Sequence, residues 1–130
     1  PRQLKILLAE DNPVNQKVAT RLLGRLGYNA VVVNNGREAV EAVRREPYDV
    51  VFLDVQMPEM DGLTAAGLIK AEFATKPPYL IAMTANAMQG DREECLKAGM
   101  DDYVSKPIRL EDLQSALERA SHASLAETGS

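Results

Sequence analysis

Polar residues stand where several apolar runs stop, Glu10 and Asp11 after Ile6-Leu7-Leu8-Ala9, Asp54 after Val50-Val51-Phe52-Leu53 and Thr84 after Leu80-Ile81-Ala82-Met83, and Lys106 follows the short segment Asp102-Tyr103-Val104-Ser105. A carboxylate beside a core is costly to leave without a partner, so Asp54 asks for a cation, a donor or a chemical use, unless it is simply solvated at a loop start. If these ends meet, three carboxylates repel one another strongly and one lysine offsets only part of that repulsion. A hard divalent cation is the natural complement. Magnesium takes oxygen ligands, keeps waters, and is commonly held by one or two carboxylates together with phosphate oxygens. That set points to phosphoryl transfer, in which an aspartate can itself be the acceptor and form an acyl phosphate.

The elements that must position these residues are legible in the apolar pattern. Unbroken apolar runs read as strands buried on both faces, because a strand with one wet face would alternate. Leu4 to Ala9 is the first, followed by Asn12 as an N-cap, Pro13 at the first helical position, and a helix whose Val14, Val18, Leu22 and Leu26 form one stripe closed by Gly27. Ala30 to Val33 is the second strand. Asn35-Gly36-Arg37-Glu38 resembles a capping box for a helix burying Ala39, Val40 and Val43. Tyr48 to Leu53 is the central strand, and the loop from Asp54 to Gly62 carries proline and Asp-Gly signals of a firmly shaped turn.

In that loop Met57 and Met60 are expected to pack, Glu59 and Asp61 to be solvated, and Gly62 to relieve the backbone. Thr64 is expected to cap a short helix with Leu68, Ile69 and Phe73. Tyr79 to Met83 is the fourth strand, Asn86 the cap of a helix that reaches Ala98 and stops at Gly99, and Asp102 to Ser105 the fifth strand. Leu110, Leu113, Leu117 and Ala120 line the final helix. Residues 1–120 read as one domain, and 121–130 as a small, polar, aperiodic tail or linker.

Strands alternating with helices predict a parallel sheet covered on both faces by right-handed crossovers, with its site beyond the carboxyl ends of the strands. All the polar strand ends named above fall at that edge.

Composition narrows the function classes. With 130 residues the chain is expected to form one domain. A net charge of -4 with basic residues thinly spread argues against a nucleic-acid surface. A single cysteine, Cys95, and a single histidine, His122, make a zinc site or a Cys-His pair a poor reading, and Cys95 is expected to be a buried thiol in a reducing compartment. No apolar run approaches the length of a membrane span, and no leader pattern is present, so a cytoplasmic domain is expected.

Four segments, in order, resemble the receiver domains of two-component response regulators, and most of all those attached to hybrid sensor histidine kinases. They are Ile6 to Asn15 (ILLAEDNPVN), Val51 to Gly62 (VFLDVQMPEMDG), Ile81 to Ala87 (IAMTANA) and Gly99 to Pro107 (GMDDYVSKP). The resemblance implies a flavodoxin-like, CheY-like doubly wound α/β fold of five parallel strands in the order 2-1-3-4-5. It further implies that Asp54 is the phosphoacceptor, and that Asp11, Asp54, Glu10 and the main-chain carbonyl of Gln56 hold magnesium, with manganese as an alternative.

Lys106 and Thr84 would contact the phosphoryl group, and Thr84 with Tyr103 would form the switch. Gln56 and Asn86 would tune loss of the phosphoryl group; both are neutral amides and neither is an obvious general base. A cis bond is expected before Pro107. The implied partner is the dimerisation and phosphotransfer domain of a histidine kinase, or a histidine-containing phosphotransfer domain. It would dock on Asn12, Pro13, Val14, Val18, Pro107 and Ile108. No contact with nucleic acid or membrane is implied for the domain, although a parent protein could be membrane-anchored.

Rival readings make different demands. An aspartate-nucleophile phosphatase of the haloacid-dehalogenase type needs a second aspartate two residues beyond the nucleophile, where this chain has Gln56. A flavodoxin-like cofactor binder needs a phosphate-cradling first loop, which Glu10-Asp11 would repel. A scaffold that only kept the fold has no physical use for clustered carboxylates. A free-standing regulator and a domain of a hybrid kinase both remain compatible with these residues.

Overall fold

Period-two alternation inside apolar strands decides which residue faces which layer. A computed structural model describes residues 4–57, 60–73, 75, 77–85 and 89–129. Five strands, β1 (Ile6–Ala9), β2 (Ala30–Val33), β3 (Val50–Asp54), β4 (Tyr79–Thr84) and β5 (Asp102–Ser105), pair in parallel in the order β2-β1-β3-β4-β5. Between and after them run α1 (Pro13–Arg25), α2 (Gly36–Arg45), α3 (Gly62–Glu72), α4 (Gln89–Ala98) and α5 (Leu110–Gly129).

Leu7, Ala9, Val51, Leu53, Leu80 and Ala82 face one layer, where they meet Ala39, Val40 and Val43 of α2, Ala65, Ala66 and Ile69 of α3, and Cys95 of α4. Their neighbours Ile6, Leu8, Val50, Phe52, Ile81 and Met83 face the other, against Ala19 and Leu23 of α1 and Leu113, Ala116, Leu117 and Ala120 of α5. The central strands therefore need apolar side chains at every position.

Helix ends follow local chemistry. The Asn12 side chain accepts hydrogen bonds from the N–H groups of Val14 and Asn15, with Pro13 opening the helix as expected. Gly27 and Gly99 take φ of 91° and 109°, so each supplies the left-handed residue that ends its helix. Asn35 caps α2 by accepting from Glu38 N–H at 2.8 Å, while the Glu38 carboxylate reaches back one residue further than a capping box requires, to Asn34 N–H.

Several expectations are corrected. Half of the expected α1 stripe holds: Leu22 and Leu26 pack partly against the core, but Val14 and Val18 are 68% and 41% exposed, and the fully buried positions are Ala19 and Leu23. Residues four apart rotate about 40° per step around a helix, so such a stripe winds off the buried face. Asp61, not Thr64, caps α3; its carboxylate accepts from Thr64 N–H at 2.8 Å, so it is more than a solvated loop acid. Leu68 is exposed, whereas Ile69 is buried and Phe73 packs partly against the core. The last helix does not stop near Ala120 but runs to Gly129, since Ala, Leu and Glu favour helix and neither glycine nor proline intervenes before it.

Candidate functional site

Backbone pairing carries the polar strand ends to one edge. Asp54 is the last residue of β3 and lies in register with Met83, whose carbonyl accepts from Val55 N–H at 3.0 Å. Thr84 ends β4, and its carbonyl accepts from Lys106 N–H at 2.8 Å, which seats Lys106 next to Thr84. Glu10 leaves β1 still tied to β2 by its N–H on the Val33 carbonyl at 3.1 Å.

A cleft of about 790 Å³ opens over that edge, lined by Glu10, Asp11, Asn12, Asp54, Gln56, Thr84 and Lys106 among others. The polar residues expected from the strand ends are thus together.

The geometry around Asp54 is specific. Its Oδ1 accepts from Gln56 N–H at 3.1 Å, and its Oδ2 accepts from Lys106 Nζ at 2.8 Å. Gly62 makes this possible for a steric reason other than the expected relief of a turn. A Cβ there would lie 2.2 Å from the Asp54 carbonyl oxygen, so only glycine lets α3 start against the end of β3. Gly36 N–H donates to the Met60 carbonyl at 3.0 Å, and Met57 and Met60 pack against the core, so the described part of the loop is shaped as expected. Glu59 lies outside the described residues.

Glu10, Asp11 and Asp54 each offer a carboxylate oxygen, and these oxygens lie within 4.8 Å of one another. Glu10 is 1% exposed, Asp54 is buried and Asp11 is open to solvent. Glu10 Oε1 accepts from Asn12 N–H, but its buried Oε2 receives no hydrogen bond. Lys106 Nζ stands 3.1 Å from that atom, close enough for an ion pair, yet its hydrogen bond goes to Asp54.

Burial pushes the Glu10 carboxyl above its ordinary range; the Asn12 N–H opposes this and Asp54 adds to it. For Lys106 burial acts downward, but its hydrogen bond to Asp54 and the nearby Glu10 carboxylate outweigh that and raise it, keeping the ammonium charged. One lysine between two buried carboxylates and a third nearby leaves excess negative charge. An under-bonded buried oxygen and an all-oxygen donor set fit a hard divalent cation.

Other expected residues lie around this centre. Tyr103 is half-buried on β5, packed against the α2–α3 side of the core, and does not line the cleft. Asn12, Pro13, Val14, Val18 and Pro107 are exposed, while Ile108 is half-buried against the α1–α5 side of the core. The peptide between Lys106 and Pro107 is cis, as expected. Asn86 lies outside the described residues.

Sequence reading missed Leu63, Glu94 and Cys95 as cleft-lining residues. Cys95 is buried as expected. It also missed Gln16, whose amide donates to the Glu10 carbonyl and to Asn34 Oδ1. The polar face of α1 beside an acidic strand end was the available signal.

Among the described residues no helix is long and apolar enough to cross a membrane. The family description "Response regulator receiver domain" matches residues 6–118. Hybrid signal transduction histidine kinase H of Dictyostelium discoideum is 43% identical over 121 residues; the match covers 90% of this chain but 9% of that protein. The chain therefore spans a small part of the length of such relatives.

The structure of the receiver domain of a sensor histidine kinase from Pseudomonas aeruginosa, with a magnesium ion coordinated in its active-site cleft, is similar at 45% identity and a TM-score of 0.82. That likeness covers 91% of this chain and 97% of the other. A Saccharomyces cerevisiae co-crystal structure of a histidine phosphotransfer protein with the receiver domain of its downstream response regulator is similar at 29% identity and a TM-score of 0.80, covering 86% and 84%. With its sheet order, its acidic edge and a family match over most of its length, this chain belongs to the response-regulator receiver domain family.

Proposed function

We propose that this domain accepts a phosphoryl group from a phosphohistidine onto Asp54, within the phosphorelay of a hybrid histidine kinase. The observation that carries the reading is the setting of Asp54: one oxygen held by a main-chain N–H, the other on Lys106, and two further carboxylates converging on it. Asp11 and Asp54, with Glu10 directly or through a water and the Gln56 carbonyl, would hold magnesium or manganese. When bound, the cation supplies charge neutralisation at the phosphoryl oxygens.

The remaining chemistry belongs to the chain. An Asp54 oxygen attacks phosphorus in line; the new P–O bond forms as the P–N bond of the donor histidine breaks, and the imidazole leaves. Lys106, released from Asp54, pairs with the phosphoryl oxygens, and the Thr84 hydroxyl turns to donate to them. Tyr103 follows Thr84 inward, a population shift biased by the new contact. The domain in this way catalyses its own phosphorylation. Hydrolysis returns it to the resting state; Gln56 and Asn86, two residues beyond Asp54 and Thr84 along the chain, tune the lifetime of the acyl phosphate, and as neutral amides neither is an obvious general base.

The donor would be a histidine-bearing helical domain. Val14 and Val18, exposed on α1 beside the acidic edge, supply an apolar docking surface together with Asn12, Pro13, Pro107 and Ile108. The domain acts in the cytoplasm, without touching nucleic acid or membrane, whatever anchors the rest of its parent.

Incubation with magnesium and acetyl phosphate, followed by intact-mass measurement, is expected to give one phosphoryl adduct that Asp54→Asn lacks. Transfer from a phosphorylated histidine domain should show the same dependence. An adduct that survives Asp54→Asn undiminished would remove the proposed acceptor.

A further inference from the structure

The segment that delivers Glu10 and Asp11 to the cleft has left β1 and has not yet entered α1, so sheet pairing no longer fixes it beyond the Glu10 N–H. A single peptide plane joins the Glu10 carbonyl to the Asp11 N–H. Turning that plane swings Asp11 relative to Glu10, and magnesium tolerates little departure from its octahedron.

One side chain holds the plane. Gln16 Nε2 donates to the Glu10 carbonyl at 2.5 Å and to Asn34 Oδ1 at 3.0 Å, so each of its two hydrogens has an acceptor. Asn34 is tied in turn to the Glu38 carboxylate, by its N–H at 2.8 Å and its Nδ2 at 3.4 Å. The chain of bonds runs from the first turn of α2 across the end of β2 to the acidic edge.

We infer that Gln16 is a positioning residue for the cation site, its amide clamping the Glu10–Asp11 peptide while Asn34 clamps Gln16. This rests on the receiver reading above. Gln16 touches neither phosphoryl group nor cation; it acts by holding the residues that do. Hydrogen-bonded supports of metal ligands typically govern affinity about ten- to a hundredfold.

The test is calorimetric titration of the chain with magnesium chloride, for the parent, Gln16→Met and Asn34→Ala, together with their melting temperatures. Gln16→Met keeps the length and removes both donors. About tenfold weaker magnesium binding is expected, with a smaller loss for Asn34→Ala, which leaves the bond to Glu10. Phosphorylation of Gln16→Met by acetyl phosphate should recover as magnesium is raised to saturation, a dependence that a purely structural role would not produce.

Parental magnesium affinity in Gln16→Met overturns the inference, whatever happens to its melting temperature. Should Gln16→Met fail to fold, Asn34→Ala decides: a several-fold loss supports the inference and unchanged affinity overturns it. A parent that binds no magnesium removes the receiver reading, and this inference with it.

Discussion

The two ends of the sheet treat acidic residues in opposite ways. At the amino-terminal edge carboxylates meet cations and donors. Arg119 and the Tyr79 hydroxyl converge on Asp102, Lys70 pairs with Asp101, Arg44 with Glu72 and Lys5 with Glu46. At the carboxyl-terminal edge three carboxylates converge, one lysine pairs with two of them, and a buried oxygen of Glu10 receives no hydrogen bond. Both edges were built from the same parallel strands, so the fold does not impose the imbalance. The first arrangement is what stability alone would favour; the second carries a repulsion that a bound cation and a phosphoryl group would put to use.

The sharpest way to break this contrast is steric. Gly62→Ala should destabilise the chain by about 3 kcal/mol, because its Cβ would meet the Asp54 carbonyl at 2.2 Å, whereas Gly67→Ala on the same helix meets only the Ala98 carbonyl at 3.8 Å. Gly67→Ala should be neutral or stabilise by up to about 1 kcal/mol. Urea unfolding of both variants measures the difference. Equal costs would mean that close approach at the acceptor is not what Gly62 provides.

Next in size is magnesium affinity. Asp11→Asn should weaken it by about 100-fold, roughly 2.7 kcal/mol, by titration calorimetry. Asp102→Asn should leave it unchanged.

The same isosteric change should then have opposite signs at the two edges. Without magnesium, Glu10→Gln is expected to stabilise the chain by about 1 kcal/mol, since it removes a desolvated charge beside Asp54. Asp102→Asn is expected to destabilise by about 1–2 kcal/mol, the lower range reflecting an Arg119 side chain 51% exposed. Two losses of similar size would erase the distinction.

The smallest effect is a titration at the amino-terminal edge. Burial first, and Asp102 second, push the Tyr79 phenol up to about 12. A raised folded value means that the folded chain holds this proton after the unfolded chain has released it. Stability therefore falls as pH climbs from the ordinary phenol value of about 10 toward 12. Absorbance of tyrosinate should show a late-titrating phenol that titrates earlier in Asp102→Asn.

These edges differ too in how far the sequence disclosed them. The continuous apolar runs revealed the sheet because each strand is covered on both faces, and a polar residue at the end of a buried run marks an edge wherever it falls. Glu10, Asp54, Thr84 and Lys106 were legible for that reason. The winding stripe of α1 was not, because Val14 and Val18 face solvent while a small residue, Ala19, makes the close contact. Asp61 as the cap of α3 depended on Gly62 fitting against Asp54, a tertiary contact without local periodicity. The Gln16–Asn34 bond joins residues 18 apart through amides that no pattern pairs in advance.

Reduction with borohydride after incubation with magnesium and acetyl phosphate, followed by peptide mass mapping, addresses the acceptor edge most directly. An aspartyl phosphate is converted to homoserine, which marks the residue that carried it. The expected result is that mark at position 54 and nowhere else, dependent on magnesium. A mark on another carboxylate, or the same yield when magnesium is withheld, would contradict the account.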